Sequence, residues 1–435
     1  MSAEPSGPRG LGGAIPLGPG TPARPPAPQP LPAPRPAPVP EHVTELDEAV
    51  ALRPAAVDPH QRLPAKFAML SVHRAYDGGR EAFRLRGHSG GELETVLDSE
   101  HTQLRPKNLA LHNLRQGTGR PSLPSELLMG LEEWSRGQEA LVRWINALRA
   151  RHGAELQLVI WDDTDYDIPW ELLHLSGGQE LGMAREILGA LVTVVRWTTV
   201  HGAGTSPFGE PAACSGHVLG FYAEQMRQDA EVFEEYQHSP HFVRPWPFLA
   251  ELTRRELGAG LVYMGCHAEY GPDAHDVKID VVSWSRLNLQ PMPALADGRT
   301  LVCLNACDSA RAFDNQGRGE NALRGFAELF LRKGAGGCIA TSGKVGDKTA
   351  HQQIRELVKR VCADPELPVA RALREFRAGA AARLPVPLWW LDGEDRSELD
   401  TEREILESLY SFMFVYFGHP FTTLRLRGRT EEVGW

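Results

Sequence analysis

The stretch LVYMGCH (261–267) decides the fold of this chain, together with LVCLNAC (301–307) and GGCIATSGK (336–344). None of these runs shows the alternation of polar and apolar residues that is typical of a strand with one wet face. Helix-forming segments precede and follow them, including NALRGFAELFLRKG (321–334) and QIRELVKRV (353–361). Strands buried on both faces and separated by helices indicate a parallel sheet. The sequence therefore predicts an α/β class, with a doubly wound, mostly parallel sheet and flanking helices.

The pattern of apolar runs, helical segments and prolines divides the chain into four regions. Residues 205–427 form the doubly wound domain, and residues 55–204 form a smaller α/β lobe with strands such as FAMLSVHRAY (67–76) and LQLVIWDD (156–163). Residues 1–40 hold 14 of the 34 prolines, so we expect residues 1–54 to be a disordered tail and linker. Residues 428–435 form a short C-terminal tail.

Composition restricts the partners and the compartment. The chain has 435 residues and carries 46 Lys and Arg against 56 Asp and Glu, a net charge of −10. A protein that coats nucleic acid has a basic surplus, so no direct nucleic-acid partner is expected. The six cysteines are too few for a disulfide scaffold. We expect a cytoplasmic protein with free thiols, because no secretory leader pattern and no apolar run of about 18–20 residues is present.

Two reactive side chains end two of the buried runs, His267 and Cys307. Sites in parallel sheets form outside the carboxyl ends of the strands, so these side chains meet if the two strands are neighbours. An imidazole beside a thiol accepts its proton and later protonates a leaving amine. The backbone N–H groups of Cys307 and Ala268 are candidates to stabilise an oxyanion. The spacing alone leaves open a plain structural role, since free cysteines are among the most buried residues. Such a role is expected for the other five: Cys214, Cys266, Cys303, Cys338 and Cys362.

Around these residues the chain resembles the CHAT family, caspase-like peptidases of the clan of caspases and separases. LVCLNACDSA (301–310) is similar to the strand and nucleophile of that family, and FLAELTRRELGAGLVYMGCH (248–267) to its approach to the catalytic His. Further similar segments follow in the family's order. They are IPWELLHL (168–175), GRGENALRGFAELFLRKGAGGCIATSGKVGD (317–347) and FVYFGHPFTTLRL (414–426).

The resemblance implies a caspase-like fold and a cysteine endopeptidase that works without a cofactor. His267 is then the general base and acid, and Cys307 the nucleophile that forms a thioacyl intermediate. The family usually has Gly after its His, where this chain has Ala268. Relatives that cleave after basic residues often carry Asp two positions before the nucleophile, where this chain has Asn305. Asp347, expected at the end of the third strand, is a second substrate-pocket candidate that would favour Lys or Arg, with a capping role as the alternative.

The family also implies regulated cleavage of a protein substrate, often in bacterial defence or cell-fate pathways. Since no sensor module is recognisable here, we expect a partner protein or ligand to activate the enzyme in trans, with no membrane involved. The Gly-rich loop Ser309–Asn321 is the segment expected to become ordered or nicked. The alternative from a different class of function is an inert caspase-like binding or scaffold module.

Three other sequence patterns resemble parts of ligand-binding sites. Asp163, Asp165 and Asp167 match half an EF-hand loop, but Ile168 and His174 occupy the positions of its Gly and Glu. TSGK (341–344) lacks the remaining residues of a phosphate-binding loop. Zinc is disfavoured because Cys266 and its neighbour His267 point to opposite faces of a strand. No metal is therefore expected.

Overall fold

A computed structural model describes residues 63–90, 96–98, 102–114, 124–175, 186–200, 207–237, 241–255, 257–271, 274–314, 323–344, 346–384 and 398–428. The predicted tail at 1–54 lies outside these ranges, as do residues 315–321 of the loop Ser309–Asn321 and all but the first residue of the C-terminal tail.

The described residues form seventeen β-strands and eleven α-helices. The strands are β1 Phe67–Asp77, β2 Arg80–Ser89, β3 Val96–Asp98, β4 Gln103–Leu104, β5 Gln157–Asp162, β6 Thr193–Trp197, β7 Ala213–Tyr222, β8 Ala259–Gly265, β9 Ala268–Glu269, β10 Lys278–Ile279, β11 Val282–Ser283, β12 Leu301–Asn305, β13 Ala312–Asp314, β14 Leu323–Gly325, β15 Gly337–Thr341, β16 Phe414–Gly418 and β17 Thr423–Leu426. The helices are α1 Pro124–Arg136, α2 Glu139–His152, α3 Leu188–Leu191, α4 Asp229–Val232, α5 Pro245–Leu252, α6 Trp284–Leu289, α7 Pro293–Gly298, α8 Phe326–Arg332, α9 Asp347–Ala363, α10 Val369–Ala381 and α11 Glu398–Met413.

A twelve-stranded sheet is the centre of the fold. Its order is β17-β7-β8-β12-β15-β16-β6-β5-β1-β2-β3, and β4 pairs with β2. Seven of the eight pairs from β17 to β1 are parallel, and the eighth, β15 with β16, is antiparallel, as are the pairs that β2 makes. The predicted doubly wound, mostly parallel sheet with flanking helices is therefore confirmed.

Alternate residues of the central strands are buried on opposite faces. Val262 and Val302 face a core built with α5 to α8, whereas Tyr263 and Cys303 face a second core built with α9 and α10. Helices on both faces explain why the strand sequences lack polar alternation.

The sheet runs without interruption through the predicted lobe (55–204) and the predicted catalytic domain (205–427). The link is the parallel pair β6–β16, in which Arg196 is the partner of Phe417. Arg196 also binds Glu171 through two nitrogens, with its Nε 2.8 Å from Oε1. The two regions therefore contribute strands to the same hydrogen-bonded layer.

Some local predictions differ from the structure. The segment 321–334, expected to be one helix, begins with β14, which pairs with β13 before α8 starts at Phe326. The helix expected over 225–237 is reduced to the single turn α4 between two 3-10 turns. In both places a tertiary contact outweighs the helical propensity of the segment. One is the strand pair β13–β14, and the other is the buried Asp229 at the start of α4.

No helix among the described residues is both long enough and apolar enough to cross a bilayer.

Candidate active site

The strands that carry His267 and Cys307 are direct neighbours. β8 and β12 run parallel, and their last residues, Gly265 and Asn305, are paired. The ladder continues one step further, because the backbone N–H of Cys266 donates to the carbonyl of Asn305 at 3.2 Å. His267 and Cys307 each follow two residues after the paired ends. The structure therefore brings the two residues to the same edge of the sheet, at equivalent positions of adjacent strands.

The thiols of the chain differ in exposure. Cys307 is half-buried and His267 is exposed. Cys214, Cys266, Cys303 and Cys338 are buried, as predicted, and Cys362 is half-buried on α9. Burial raises the pKa of each of these five thiols, which disfavours the reactive thiolate form.

A tight turn follows Cys307 and is bound to the end of β15. Asp308 has a positive φ of 58°, and its N–H donates to the carbonyl of Gly343 at 3.0 Å. The N–H of Ala310 donates to the carbonyl of Thr341 at 2.8 Å. The hydroxyl of Ser309, which is fully buried, accepts from the N–H of Thr341 at 3.0 Å. These bonds give the segment that carries Cys307 a defined backbone conformation.

Asn305 lies beneath this turn in a buried polar cluster. Its Nδ2 donates to Asp229 Oδ2 and to the hydroxyl oxygen of Tyr263, both at 2.9 Å. Asp229 also accepts from the Tyr263 hydroxyl and lies 3.0 Å from Nδ1 of His351. Burial raises the pKa of Asp229, although these three hydrogen bonds oppose the shift. The substrate-pocket candidate Asn305 is 3% exposed, and its amide is engaged with this carboxyl group.

The other predicted site residues occupy different places. Ala268 begins β9, opposite Ile279, and the preceding carbonyl of His267 accepts from the N–H of Asp280 at 2.7 Å. Asp347 is the first residue of α9, whereas β15 already ends at Thr341, so Asp347 does not end the strand. Its side chain is outside the described part of the structure.

Arg311 joins three loops near the site. Its Nε donates to Asp167 Oδ2 at 2.9 Å. Its guanidinium carbon lies 5.0 Å from the ring centroid of Tyr270, whose hydroxyl donates to the carbonyl of Arg311 at 2.6 Å. Burial raises the pKa of Asp167 to about 6, and Arg311 opposes the shift. Sequence reasoning singled out neither Arg311 nor Tyr270. Asp167 was considered only as part of the calcium-like triplet Asp163, Asp165 and Asp167.

The acidic triplet does not converge on one point. Asp163 accepts from the N–H of Thr199 at 2.8 Å, and Asp165 is 2.7 Å from Nη2 of Arg74. Asp167 pairs with Arg311, so each carboxylate has a different partner. The described His, Cys, Asp and Glu side chains contain no group of three or more suited to a metal ion.

A cavity of about 80 Å³, open to solvent, borders the turn. Its wall includes Ala310, Arg311 and Ser342, but neither His267 nor Cys307 lines it. This cavity is therefore distinct from the sheet edge at which the two candidate catalytic residues lie.

The family model of the CHAT domain matches residues 138–390, more than half of the chain. The chain belongs to the CHAT domain family. The match covers His267, Cys307 and the strands before them, so the resemblance expected from the sequence motifs is confirmed. No curated protein sequence matches this CHAT protein significantly.

Solved structures similar to this CHAT protein include cysteine proteinases. The Arg-specific cysteine proteinase gingipain R matches with 10% identity and a TM-score of 0.39, covering 66% of this chain and 68% of the other. The complex of Porphyromonas gingivalis RgpB pro- and mature domains matches with 10% identity and a TM-score of 0.38, covering 73% of this chain and 76% of the other. The separase–securin complex of Saccharomyces cerevisiae matches with 10% identity and a TM-score of 0.44, covering 82% of this chain and 30% of the other. All three are distant likenesses.

Proposed function

We propose that this CHAT protein is a cysteine endopeptidase in which Cys307 is the nucleophile and His267 the general base and acid. One observation carries the proposal, namely the parallel register that pairs Gly265 with Asn305. Two steps beyond that pair, a half-buried thiol and an exposed imidazole lie at one sheet edge. Among the six cysteines, only Cys307 lies two residues after the end of a strand whose neighbour is followed, at the same distance, by a histidine.

The proposed reaction proceeds in two stages. Cys307 Sγ gives its proton to His267 and attacks the carbonyl carbon of the scissile peptide bond. The N–H groups of Cys307 and Ala268 are the proposed donors to the resulting oxyanion. Collapse of this intermediate breaks the C–N bond, His267 protonates the departing amine, and a thioester remains on Cys307. Water, deprotonated by His267, then attacks the thioester and releases the acid and the free thiol.

Covalent labelling tests this proposal. A panel of peptidyl acyloxymethyl ketones with different P1 residues is incubated with the full chain, in dilute buffer and in concentrated sodium citrate, which favours compact, ordered loops. Intact mass should show one adduct per chain. We expect Cys307→Ala to abolish the adduct and His267→Ala to lower the labelling rate by at least about 100-fold, the size of a general-base contribution.

Cys362→Ala is the matched control, because Cys362 is the other half-buried thiol of the chain. It should be labelled at the wild-type rate. An adduct that persists in Cys307→Ala, or a wild-type chain that stays unlabelled in both media, contradicts the peptidase and supports the inert binding module.

Regulation in trans is part of the proposal. An activating partner or ligand would act on the segment from Ser309 to Asn321, which directly follows the nucleophile. Full cleavage activity of the isolated chain, unchanged by any added partner, would contradict this part and leave the peptidase itself intact. A role in bacterial defence stays a prediction of the family resemblance.

A further inference from the structure

Arg311 is four residues after Cys307, and Tyr270 is three residues after His267. The Tyr270 hydroxyl donates to the backbone carbonyl of Arg311 at 2.6 Å. Because the acceptor is a backbone atom, this hydrogen bond restrains the main chain at Arg311 and not only a side chain. The loop that carries the candidate base and the turn that carries the candidate nucleophile are therefore bound to each other directly.

The side chain of Arg311 adds two further contacts. Its guanidinium group lies over the ring of Tyr270, at 5.0 Å from the centroid, within the range of a cation–π interaction. Its Nε donates to Asp167, which lies between β5 and β6 in the predicted lobe. Asp167 is held at a positive φ of 52°, a backbone conformation that costs about 1–3 kcal/mol outside glycine and persists where the surroundings enforce it.

We propose that Arg311, Tyr270 and Asp167 form a positioning clamp that sets the distance between Cys307 and His267. The clamp rests on the proposed peptidase function. In this proposal the three residues act as positioning residues, through the backbone of the loops that carry Cys307 and His267. A displacement of about 1 Å between reacting groups can lower a rate by about 100-fold, so even a small relaxation of these loops should be visible in kinetics.

The charges around Asp167 make the clamp sensitive to pH. Arg311 attracts the Asp167 carboxylate, whereas Asp308 and Asp165 repel it. His112 Nδ1 lies 3.5 Å away, but burial lowers the pKa of His112 to about 4, so it is neutral above that pH. Since the pKa of Asp167 is raised to about 6, the ion pair with Arg311 is complete above that value and is lost as the pH falls through it.

The test measures the labelling of Cys307 by the same ketones. Tyr270→Phe keeps the ring and removes the hydroxyl bond, and Asp167→Asn keeps the shape and removes the charge. We expect each to lower the maximal labelling rate constant about tenfold, with the half-saturating ketone concentration changed by less than about twofold. Arg311→Lys keeps the charge and should recover part of the rate lost in Arg311→Met.

Arg74→Gln is the matched control. Arg74 makes a comparable ion pair, 2.7 Å long, with Asp165 in the same loop, and this pair does not reach the nucleophile turn. The control should be labelled at the wild-type rate.

Two readouts separate positioning from a merely structural role. The labelling rate of Asp167→Asn divided by that of the wild type should rise toward one as the pH falls from about 7.5 to about 5, because the wild type then also loses the charge on Asp167. The thermal midpoint of Asp167→Asn at neutral pH should equal or exceed that of the wild type, because the raised pKa means that folding disfavours the ionised form.

The outcomes are distinct for the two proposals. Wild-type labelling rates in Tyr270→Phe and Asp167→Asn, with Cys307→Ala unlabelled, overturn the clamp and leave the peptidase in place. A rate ratio that stays constant with pH, or a lowered midpoint in Asp167→Asn, also overturns the clamp. A wild-type chain that is never labelled overturns both proposals.

Discussion

Asp229 shows how a single residue can stabilise the site from within the core. It is 1% exposed and faces three polar groups: the Tyr263 hydroxyl, the Asn305 amide and Nδ1 of His351. Asn305 is the last residue of β12 and lies two positions before Cys307, so the cluster supports the strand that leads to the candidate nucleophile. A buried polar group that loses its partner costs about 1–3 kcal/mol.

Asp229→Ala should therefore lower the free energy of unfolding by about 3 kcal/mol, since it leaves several buried groups without an acceptor. Urea unfolding followed by tryptophan fluorescence measures this loss. The control is Glu231→Ala on the same helix, where the side chain is exposed, and a change within about 0.5 kcal/mol is expected. Equal effects of the two substitutions would refute the role of Asp229.

At the scale of residues, the sequence predicted the ends of strands better than the contacts between loops. His267 and Cys307 were found because each follows an apolar run, and parallel strands end at one edge. Asp229, Tyr270 and Arg311 were not found, because their partners lie far away in the chain. Arg311 and Asp167, for example, are 144 positions apart. Local patterns contain no signal for such pairs.

At the scale of elements, the register of β7 and β8 depends on a close contact between glycines. His217 pairs with Ala259 and Val218 with Leu261, so Gly260 is an extra residue in β8. A Cβ on Gly260 would lie 2.5 Å from the backbone N of Gly216. Because a shift of one residue sends each side chain to the opposite face of the sheet, this bulge determines which residues of β8 face each of the two cores.

Gly216→Ala should destabilise the protein by about 3 kcal/mol or more. Its φ is +148°, and its Cβ would lie 2.0 Å from the carbonyl oxygen of Gly258. Chemical denaturation gives the comparison with Gly153→Ala, where φ is +56° and no atom lies within 4 Å. The Gly153 variant should lose only about 1 kcal/mol. If Gly216→Ala is no worse, the close contact does not set the register.

The elements themselves were predicted unevenly. β8, β12 and β15 were expected as strands and are strands, because a long apolar run between helices has few other solutions. The helix predicted over 321–334 was wrong in its first part, where Leu323–Gly325 pairs with Ala312–Asp314. That pairing joins segments on either side of a loop, so the helical pattern of the later residues did not indicate it.

At the scale of the whole molecule, a buried charge cluster links the regions 55–204 and 205–427. Glu171 precedes β6, Arg196 lies in β6, and Arg377 lies in α10. Burial raises the pKa of Glu171, but Arg196 outweighs this effect and holds the pKa below its usual value. Burial lowers the pKa of Arg377 to about 10, with Glu171 opposing the shift. One carboxylate thus balances two buried cations from different parts of the chain.

Removal of that carboxylate should affect both regions together. Glu171→Ala leaves two buried guanidinium groups without their counter-charge, and a loss of about 3–5 kcal/mol is expected. Hydrogen exchange should show lowered protection in β5 and also in β8, because both belong to the same sheet. Glu186→Ala, which removes a 3.5 Å ion pair between Arg149 and the Glu186 carboxylate, itself 45% exposed, should cost at most about 1 kcal/mol. Lost protection confined to residues 63–200 would show that the two regions unfold independently.

The unequal burial of the thiols has a consequence for handling the protein. Hydrogen peroxide attacks thiolates, and five of the six cysteines are kept protonated by raised pKa values. Air and peroxide should therefore oxidise Cys307 first, to a sulfenic acid that dithiothreitol reverses. A preparation stored without reductant would lose the thiol of this candidate nucleophile while its fold remained intact.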